Sequence, residues 1–203
     1  MTAKLYYFHD PMCSWCWGYQ STWQKLLQEL PENMGVTYIL GGLAQDNDAP
    51  MPDDMQTAIQ AHWRRIESEL GAEFNFDFWQ QCKPRRSTYP ACRAVIAASN
   101  QDAGVMMILA IQRAYYLRAM NPSEYAVLSV LAEELDLDTE KFNVDILSVQ
   151  TERDFQEQIS YSRSMGVSSF PSLLLDYNNE LYRLAVDYKN HQTTLDQIAE
   201  AIS

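Results

Sequence analysis

The first part of the chain combines short apolar runs with one stretch of helical periodicity. Residues 5–8, LYYF, form a continuous apolar run that is typical of a strand buried on both faces. After Cys16, apolar residues recur at three- to four-residue spacing as far as Leu30, which predicts a helix. Residues 36–40, VTYIL, form a second apolar run. Strand, helix and strand in this order predict a βαβ unit, whose two strands lie parallel.

The middle of the chain carries helical periodicity and almost no strand signal, with prolines between the periodic segments. The predicted helices cover residues 54–70, 89–101, 104–119, 123–136 and 138–147. This block predicts an all-helical insertion.

Strand signals return after a helix predicted at 152–165. The segments SLLLD and LYRLAV flank the turn-rich YNNE, which is a hairpin signal. The chain then closes on a helix with Leu195, Ile198, Ala199 and Ile202 on one face. This organisation predicts one α/β domain formed by residues 1–45 and 150–203, interrupted by the helical insertion at 46–149.

Composition and charge narrow the class of protein. Of the 203 residues, 47% are hydrophobic, enough for a substantial core, and the formal net charge is −12. Such an acidic chain lacks the basic surface that nucleic acids require, and the four residues of KPRR are too few to supply one. No secretory signal or membrane span is visible, so we expect a cytoplasmic protein. Permanent disulfides are rare in that compartment, which makes a close pair of cysteines interesting.

The candidate chemistry lies in HDPMCSWCWG, between the first strand and the first helix. Cys13 at the first turn of a helix would place Cys16 one turn further along the same face, close enough to form a disulfide. Free backbone N–H groups and the helix dipole favour a thiolate at Cys13, and thiols so placed can have pKa values of roughly 3.5–7.5. Cys16 should be less exposed. This asymmetry suits thiol–disulfide exchange, in which Cys13 forms a mixed disulfide and Cys16 resolves it.

Two other readings of the pair are a zinc half-site and two buried thiols. Zinc needs four ligands, usually from two close pairs. The remaining cysteines, Cys82 and Cys92, have nine residues between them, and the three histidines form no pair at metal-ligand spacing. We therefore expect no metal site. A strand-CxxC-helix context favours redox chemistry.

The segments FHDPMCSWCWG and GVSSFPSLLL, with a helical block between them, resemble the DsbA-type branch of the thioredoxin superfamily. Within it they are most similar to the FrnE-like subgroup of cytoplasmic thiol–disulfide oxidoreductases. The resemblance implies an α/β thioredoxin fold interrupted by a large all-helical insertion. It also implies a catalytic set of Cys13 as nucleophile, Cys16 as resolving cysteine and Pro171 as the cis-proline beside them. From composition alone, Pro171 is equally a trans proline at the start of a strand.

The same resemblance implies that Phe170 exposes backbone for pairing with a substrate segment. Ser169, Trp15 and His9 are further candidates for the substrate-binding surface, and a packing role alone is the alternative for Trp15. Ser14-Trp15 between the cysteines differs from the Gly-Pro of thioredoxin and the Pro-His of DsbA, so no redox potential carries over. His9 and Asp10 are candidates for assisting proton transfer, or are simply loop residues.

Cys92, near the start of a predicted insertion helix, is a candidate third redox cysteine or a small apolar residue in a helix. Cys82 is a candidate partner for it under oxidation.

The predicted activity needs no bound cofactor, because the CxxC pair carries the electrons, and glutathione is a candidate co-substrate. The expected partners are a protein or small molecule that contains a thiol or disulfide, and a cellular thiol reductant. Neither nucleic acid nor membrane is expected. Two alternatives stay open: a kappa-class glutathione transferase-like or 2-hydroxychromene-2-carboxylate isomerase-like enzyme that uses the Cys13 thiolate, and a non-enzymatic binding module.

Overall fold

The computed structural model describes residues 3–203. The strands are β1 (Ala3–His9), β2 (Gly35–Leu40), β3 (Ser172–Tyr177) and β4 (Glu180–Leu184). The helices are α1 (Ser14–Glu29), α2 (Asp53–Leu70), α3 (Phe78–Gln81), α4 (Tyr89–Ser99), α5 (Gly104–Leu117), α6 (Tyr125–Glu134), α7 (Thr139–Asp145), α8 (Val149–Ser164) and α9 (Gln192–Ile202).

One mixed sheet joins the two ends of the chain, with strand order β2-β1-β3-β4. β1 and β2 are parallel, with Phe8 opposite Ile39, which confirms the predicted βαβ unit. β3 pairs with β1 in antiparallel register, with Phe8 opposite Ser172, and β4 pairs with β3 as the predicted hairpin. The C-terminal segment therefore completes the sheet that the N-terminal segment begins.

Helices cover both faces of the inner strand β1, which explains why its apolar run is continuous. On one face, the Tyr7 ring stacks on Trp23 of α1 at 4.3 Å between centroids. On the other, Phe8 stacks on Tyr161 of α8 at 6.4 Å. The residues that follow β1 are thus held at the end of a strand that helices cover on both faces.

The helical segment packs its own apolar faces around Trp63, which is 0% exposed. The five helices predicted there are confirmed, with slightly shorter bounds in most cases. The short α3 was not predicted, since it begins at the end of the aromatic run FNFDFW and is too brief to show periodicity. Leu40 of β2 and Phe155 of α8 belong to the same buried cluster, so the insertion and the sheet share a core.

The division into 1–45 with 150–203 and 46–149 stays a prediction, and residues 1 and 2 of its first segment lie outside the described residues. Within residues 3–203, none of the helices combines the length and the apolar character that crossing a membrane requires.

Candidate active site

The two close cysteines lie at the start of α1, directly after the β1 strand. Cys13 is the N-cap residue, with extended backbone at φ −80° and ψ 116°, and its carbonyl accepts a hydrogen bond from the Trp17 N–H at 3.1 Å. Cys16 follows one turn later. The exposed fraction is 6% for Cys13 and 0% for Cys16, and both are free thiols. Cys13 is thus the one of the pair that a reaction partner can reach.

The surroundings of the two sulfurs separate their pKa values. A hydrogen bond from the Cys16 thiol is the main cause that lowers the pKa of Cys13 below its ordinary value, helped by the backbone N–H groups of Cys16 and Trp15 and opposed by burial. Burial, followed by the interaction with Cys13, raises the pKa of Cys16 well above its ordinary value. The geometry therefore favours a thiolate at Cys13 beside a protonated Cys16.

The loop before β3 closes over the pair. The Phe170–Pro171 peptide bond is cis. The Cys13 thiol lies 3.4 Å from the Phe170 carbonyl oxygen, so the loop and the nucleophile candidate are in direct contact. Ser169 is exposed, and its carbonyl accepts a hydrogen bond from the Ser172 hydroxyl at 2.8 Å. Phe170 is half-buried and Pro171 is buried.

The two tryptophans that flank Cys16 contact different parts of the protein. Trp15 is half-buried and meets the Tyr188 ring edge-on at 5.3 Å, with the Arg65 guanidinium 5.3 Å above its own ring. Trp17 instead stacks on Tyr116 in the helical segment at 5.5 Å. Trp15 therefore belongs to the surface beside the pair. Neither Tyr188 nor Arg65 could be predicted from sequence patterns, because only the fold brings them to Trp15.

A buried carboxylate lies beneath the loop that carries the cysteines. Asp10 is 0% exposed, and its Oδ1 accepts from the Met12 N–H at 2.8 Å. Its Oδ2 accepts from the Leu43 N–H at 2.8 Å, the Thr88 hydroxyl at 2.7 Å and the Cys92 thiol at 3.5 Å. Burial raises the pKa of this carboxyl, and the hydrogen bonds lower it in part. Asp10 thus links the active-site loop to the segment after β2 and to the start of α4.

The remaining cysteines lie in other surroundings. Cys92 is 0% exposed beside Asp10, and burial together with that carboxyl raises its pKa well above the ordinary value. Such a thiol stays protonated at neutral pH, which does not favour a redox role. Cys82 is half-buried and donates to the Ala119 carbonyl at 3.0 Å. Within residues 3–203, no group of three or more His, Cys, Asp or Glu side chains has the geometry to hold a metal ion.

His9 does not join the pair. It is 0% exposed, its ring lies 5.2 Å from the Tyr7 ring in a stacked arrangement, and it lines a separate cavity described below. Its role as a substrate contact stays a prediction that its burial does not favour.

Comparison with known proteins places this geometry in a family. A model described as thioredoxin matches residues 6–194. The chain belongs to this thioredoxin family. A structure from Nitrosomonas europaea, to which protein disulfide isomerase activity is provisionally ascribed, is 25% identical, with a TM-score of 0.88 over 100% of both chains. The cytosolic disulfide reductase DsbM from Pseudomonas aeruginosa is 23% identical, with a TM-score of 0.80 over 98% of both chains.

Among curated proteins, the ClpXP adapter protein SpxH of Bacillus subtilis is 26% identical over 174 residues. This match covers 84% of the present chain but 57% of the relative, so the chain spans less than two thirds of that protein's length. The predicted thioredoxin fold with its helical insertion and the DsbA-type resemblance are confirmed. The narrower FrnE-like assignment stays a prediction. A fold of this kind supports thiol–disulfide oxidoreductase chemistry in general.

Proposed function

We propose that the protein catalyses thiol–disulfide exchange, with Cys13 as nucleophile and Cys16 as resolving cysteine. The observation that carries this proposal is the asymmetry of the pair: the reachable sulfur has the lowered pKa, and the buried one has the raised pKa. Two buried thiols without a redox role would not require pKa values shifted in opposite directions one helical turn apart.

In the reducing direction, the Cys13 thiolate attacks one sulfur of a substrate disulfide. The S–S bond breaks, a mixed disulfide forms, and the first substrate thiolate leaves and takes up a proton. Cys16 then gives up its proton and attacks the Cys13 sulfur, which forms the Cys13–Cys16 disulfide and releases the second substrate thiolate. Two electrons pass from the dithiol to the substrate, and the same steps in reverse oxidise a dithiol substrate.

The substrate surface in this proposal consists of Trp15, Phe170 and the exposed Ser169 beside Cys13. The Phe170–Pro171 segment precedes β3, where an extended substrate segment can align beside the nucleophile. Glutathione is the proposed co-substrate, and no bound cofactor is required because the cysteines hold the electrons. A cytoplasmic location is part of the proposal, supported by the similar fold of a cytosolic disulfide reductase.

The test measures the redox equilibrium of Cys13 and Cys16 in defined glutathione buffers, followed by alkylation and mass spectrometry. Wild type should show a reversible two-electron transition between dithiol and disulfide. Cys16→Ser should accumulate glutathione on Cys13, and Cys13→Ser should accumulate none on Cys16. Cys92→Ala is the matched thiol control and should follow wild type. Absence of a Cys13–Cys16 disulfide at any buffer ratio would contradict the proposal.

The same set of variants distinguishes an oxidoreductase from a glutathione transferase or an isomerase. Such an enzyme uses one thiolate, so Cys16→Ser would keep its turnover with a small-molecule substrate. An oxidoreductase loses multiple turnover when the resolving cysteine is absent.

A second candidate is an adapter role, favoured by the name of the curated relatives and their match to 84–88% of this chain. An adapter binds its protein partners through surfaces and does not require a dithiol. The double variant Cys13→Ser with Cys16→Ser should then still accelerate degradation of a bound substrate by ClpXP. If only the oxidoreductase proposal holds, neither wild type nor the double variant changes that degradation.

A further inference from the structure

A cavity of about 410 Å³ is lined by His9 at the end of β1, by β2 and by the helices α4, α5 and α8. Its walls are mostly apolar, with Leu40, Val95, Ile96 and Ile108 among the residues that line them. Neither cysteine of the pair nor the Phe170–Pro171 segment lines it. A volume of this size suffices for a small organic ligand.

His9 faces this cavity as an unpartnered polar group. Its side chain is fully buried, and within residues 3–203 no protein atom hydrogen-bonds to either ring nitrogen. Burial lowers the pKa of His9 to about 3, so the ring is neutral at physiological pH. A neutral imidazole offers one N–H donor and one acceptor nitrogen. Leaving such groups unpaired inside a protein costs free energy, which a ligand with a matching group would recover.

Three other polar side chains of the wall already have hydrogen-bond partners. The Tyr38 hydroxyl accepts from Trp23 Nε1 at 3.1 Å. The Ser99 hydroxyl donates to the Val95 carbonyl at 2.8 Å, and the Gln158 Oε1 accepts from the Leu40 N–H at 2.8 Å. His9 differs from them because neither of its ring nitrogens has a partner among the described residues, so it is the group at which we expect a ligand's polar atom to bind.

Charge at the cavity disfavours anions. Among the described residues that line the wall there is no Lys or Arg, and the one charged residue is the exposed Asp102. Apolar side chains also line it at the protein surface, because Val105 is 46% and Met106 is 50% exposed. Phosphates, carboxylates and glutathione would meet no cation here, whereas an uncharged molecule would meet no penalty.

We propose that this cavity is a binding site for a small, uncharged and mostly apolar molecule that donates a hydroxyl or N–H hydrogen bond to His9. Phenol and indole carry this chemistry and serve as probes. The site is separate from the cysteine chemistry and does not depend on it.

The test compares phenol with toluene, which has nearly the same size and shape but no hydroxyl donor. Binding is followed through the methyl signals of Ile96 and Ile108 and the imidazole nitrogens of His9 by NMR. Wild type should bind phenol saturably and about tenfold more tightly than toluene, the ratio that one recovered hydrogen bond provides. The largest shifts should fall on these three residues.

Two variants and one control sharpen the comparison. His9→Phe keeps an aromatic ring on Tyr7 but removes both nitrogens, and should abolish the preference for phenol while toluene still binds. Val105→Trp, at an exposed position on the wall, should weaken both probes and keeps the test decisive if His9→Phe fails to fold. Cys13→Ser should bind both probes as wild type does.

Equal affinity of wild type for phenol and toluene would overturn the proposal, as would an unchanged preference in folded His9→Phe. Shifts that cluster around Cys13 and Phe170 instead of α4 and α5 would also overturn it. None of these outcomes depends on whether the cysteine pair exchanges disulfides.

Discussion

Cys13 and Cys16 are chemically identical residues three positions apart, and their surroundings alone give them different properties. The helix start offers Cys13 backbone N–H groups and the thiol of its neighbour, whereas Cys16 faces the interior at 0% exposure. The lower pKa therefore belongs to the sulfur that a partner can reach. Thiol–disulfide exchange requires this arrangement, because the thiolate attacks first and the protonated thiol resolves the mixed disulfide afterwards.

Replacement of Cys16 should raise the pKa of Cys13. The Cys16 thiol is the main hydrogen-bond donor to the Cys13 thiolate, so Cys16→Ala removes the largest cause of the lowered value. The measurement is the pH dependence of thiolate ultraviolet absorbance or of alkylation rate at Cys13. Cys92→Ala should leave the Cys13 titration unchanged. A lower Cys13 pKa in Cys16→Ala would contradict this account of the site.

The buried carboxyl of Asp10 should make stability depend on pH in a specific direction. Burial raises its pKa in the folded protein above the unfolded value, so the folded state holds the proton more tightly. The stabilisation is fully present below the ordinary carboxyl range and is lost as pH rises through the raised pKa.

Urea unfolding at several pH values tests this against Asp10→Asn, which does not titrate at this position. The free energy of unfolding of wild type minus that of the variant should fall as pH rises through the window and then level off. A difference that grows with pH would show that the hydrogen bonds from Leu43, Thr88 and Met12 outweigh burial and lower the pKa instead.

At the scale of elements, the contact between β2 and the loop before β3 positions the active site. A Cβ atom at Gly41 would lie 1.8 Å from Cζ of Phe170, so the ring occupies the space that any larger residue would need. The Phe170 carbonyl in turn lies against the Cys13 sulfur. Glycine directly after β2 is therefore a condition for the loop to close.

Gly41→Ala should displace Phe170 and slow disulfide exchange by about tenfold to a hundredfold, since displacements of about 1 Å have effects of this size. Gly35→Ala is the matched control, because a Cβ at that end of β2 meets no heavy atom within 4 Å. The measurement is kcat/KM for reduction of a disulfide peptide, alongside the free energy of unfolding. Equal rates in the two variants would refute the proposed role of the contact.

Sequence periodicity predicted the elements well wherever a helix or strand buries a continuous apolar face. The strand pattern of LYYF and the hairpin around YNNE required no knowledge of the fold. The last helix was less clear: Ala199 was expected on the buried face but is exposed, while Thr194 is buried and donates to the Ala185 carbonyl at 3.1 Å. A polar residue that satisfies its hydroxyl internally is indistinguishable in sequence from a surface one.

The site was predictable only in part, for a related reason. Cys13 and Cys16 are close in sequence, so local spacing identified them. Asp10 finds its partners at Leu43 and Thr88, which only the folded chain brings together. The cavity at His9 depends in the same way on helices far along the chain.

At the scale of the whole molecule, one arginine links the helical insertion to the layers around the sheet. Arg93 of α4 has a side chain 12% exposed and pairs with Glu152 of α8 at 2.6 Å. It also pairs with Asp46, which follows β2, at 2.5 Å. Three segments distant in sequence therefore meet at a single guanidinium of α4, the helix whose N-cap residue Thr88 donates a hydrogen bond to Asp10.

Arg93→Met should lower the free energy of unfolding by about 1–2 kcal/mol, a value between those of exposed and buried ion pairs because the carboxylates are partly solvated. Arg118→Met is the matched control: it breaks the Arg118–Glu134 pair, whose side chains are 44% and 42% exposed, and should cost less than about 1 kcal/mol. Denaturant unfolding measures both. Equal losses would mean that Arg93 is one more surface ion pair. A larger loss for Arg93, together with faster hydrogen exchange at the start of α4, would mean that this side chain holds the insertion against the loop that carries the cysteines.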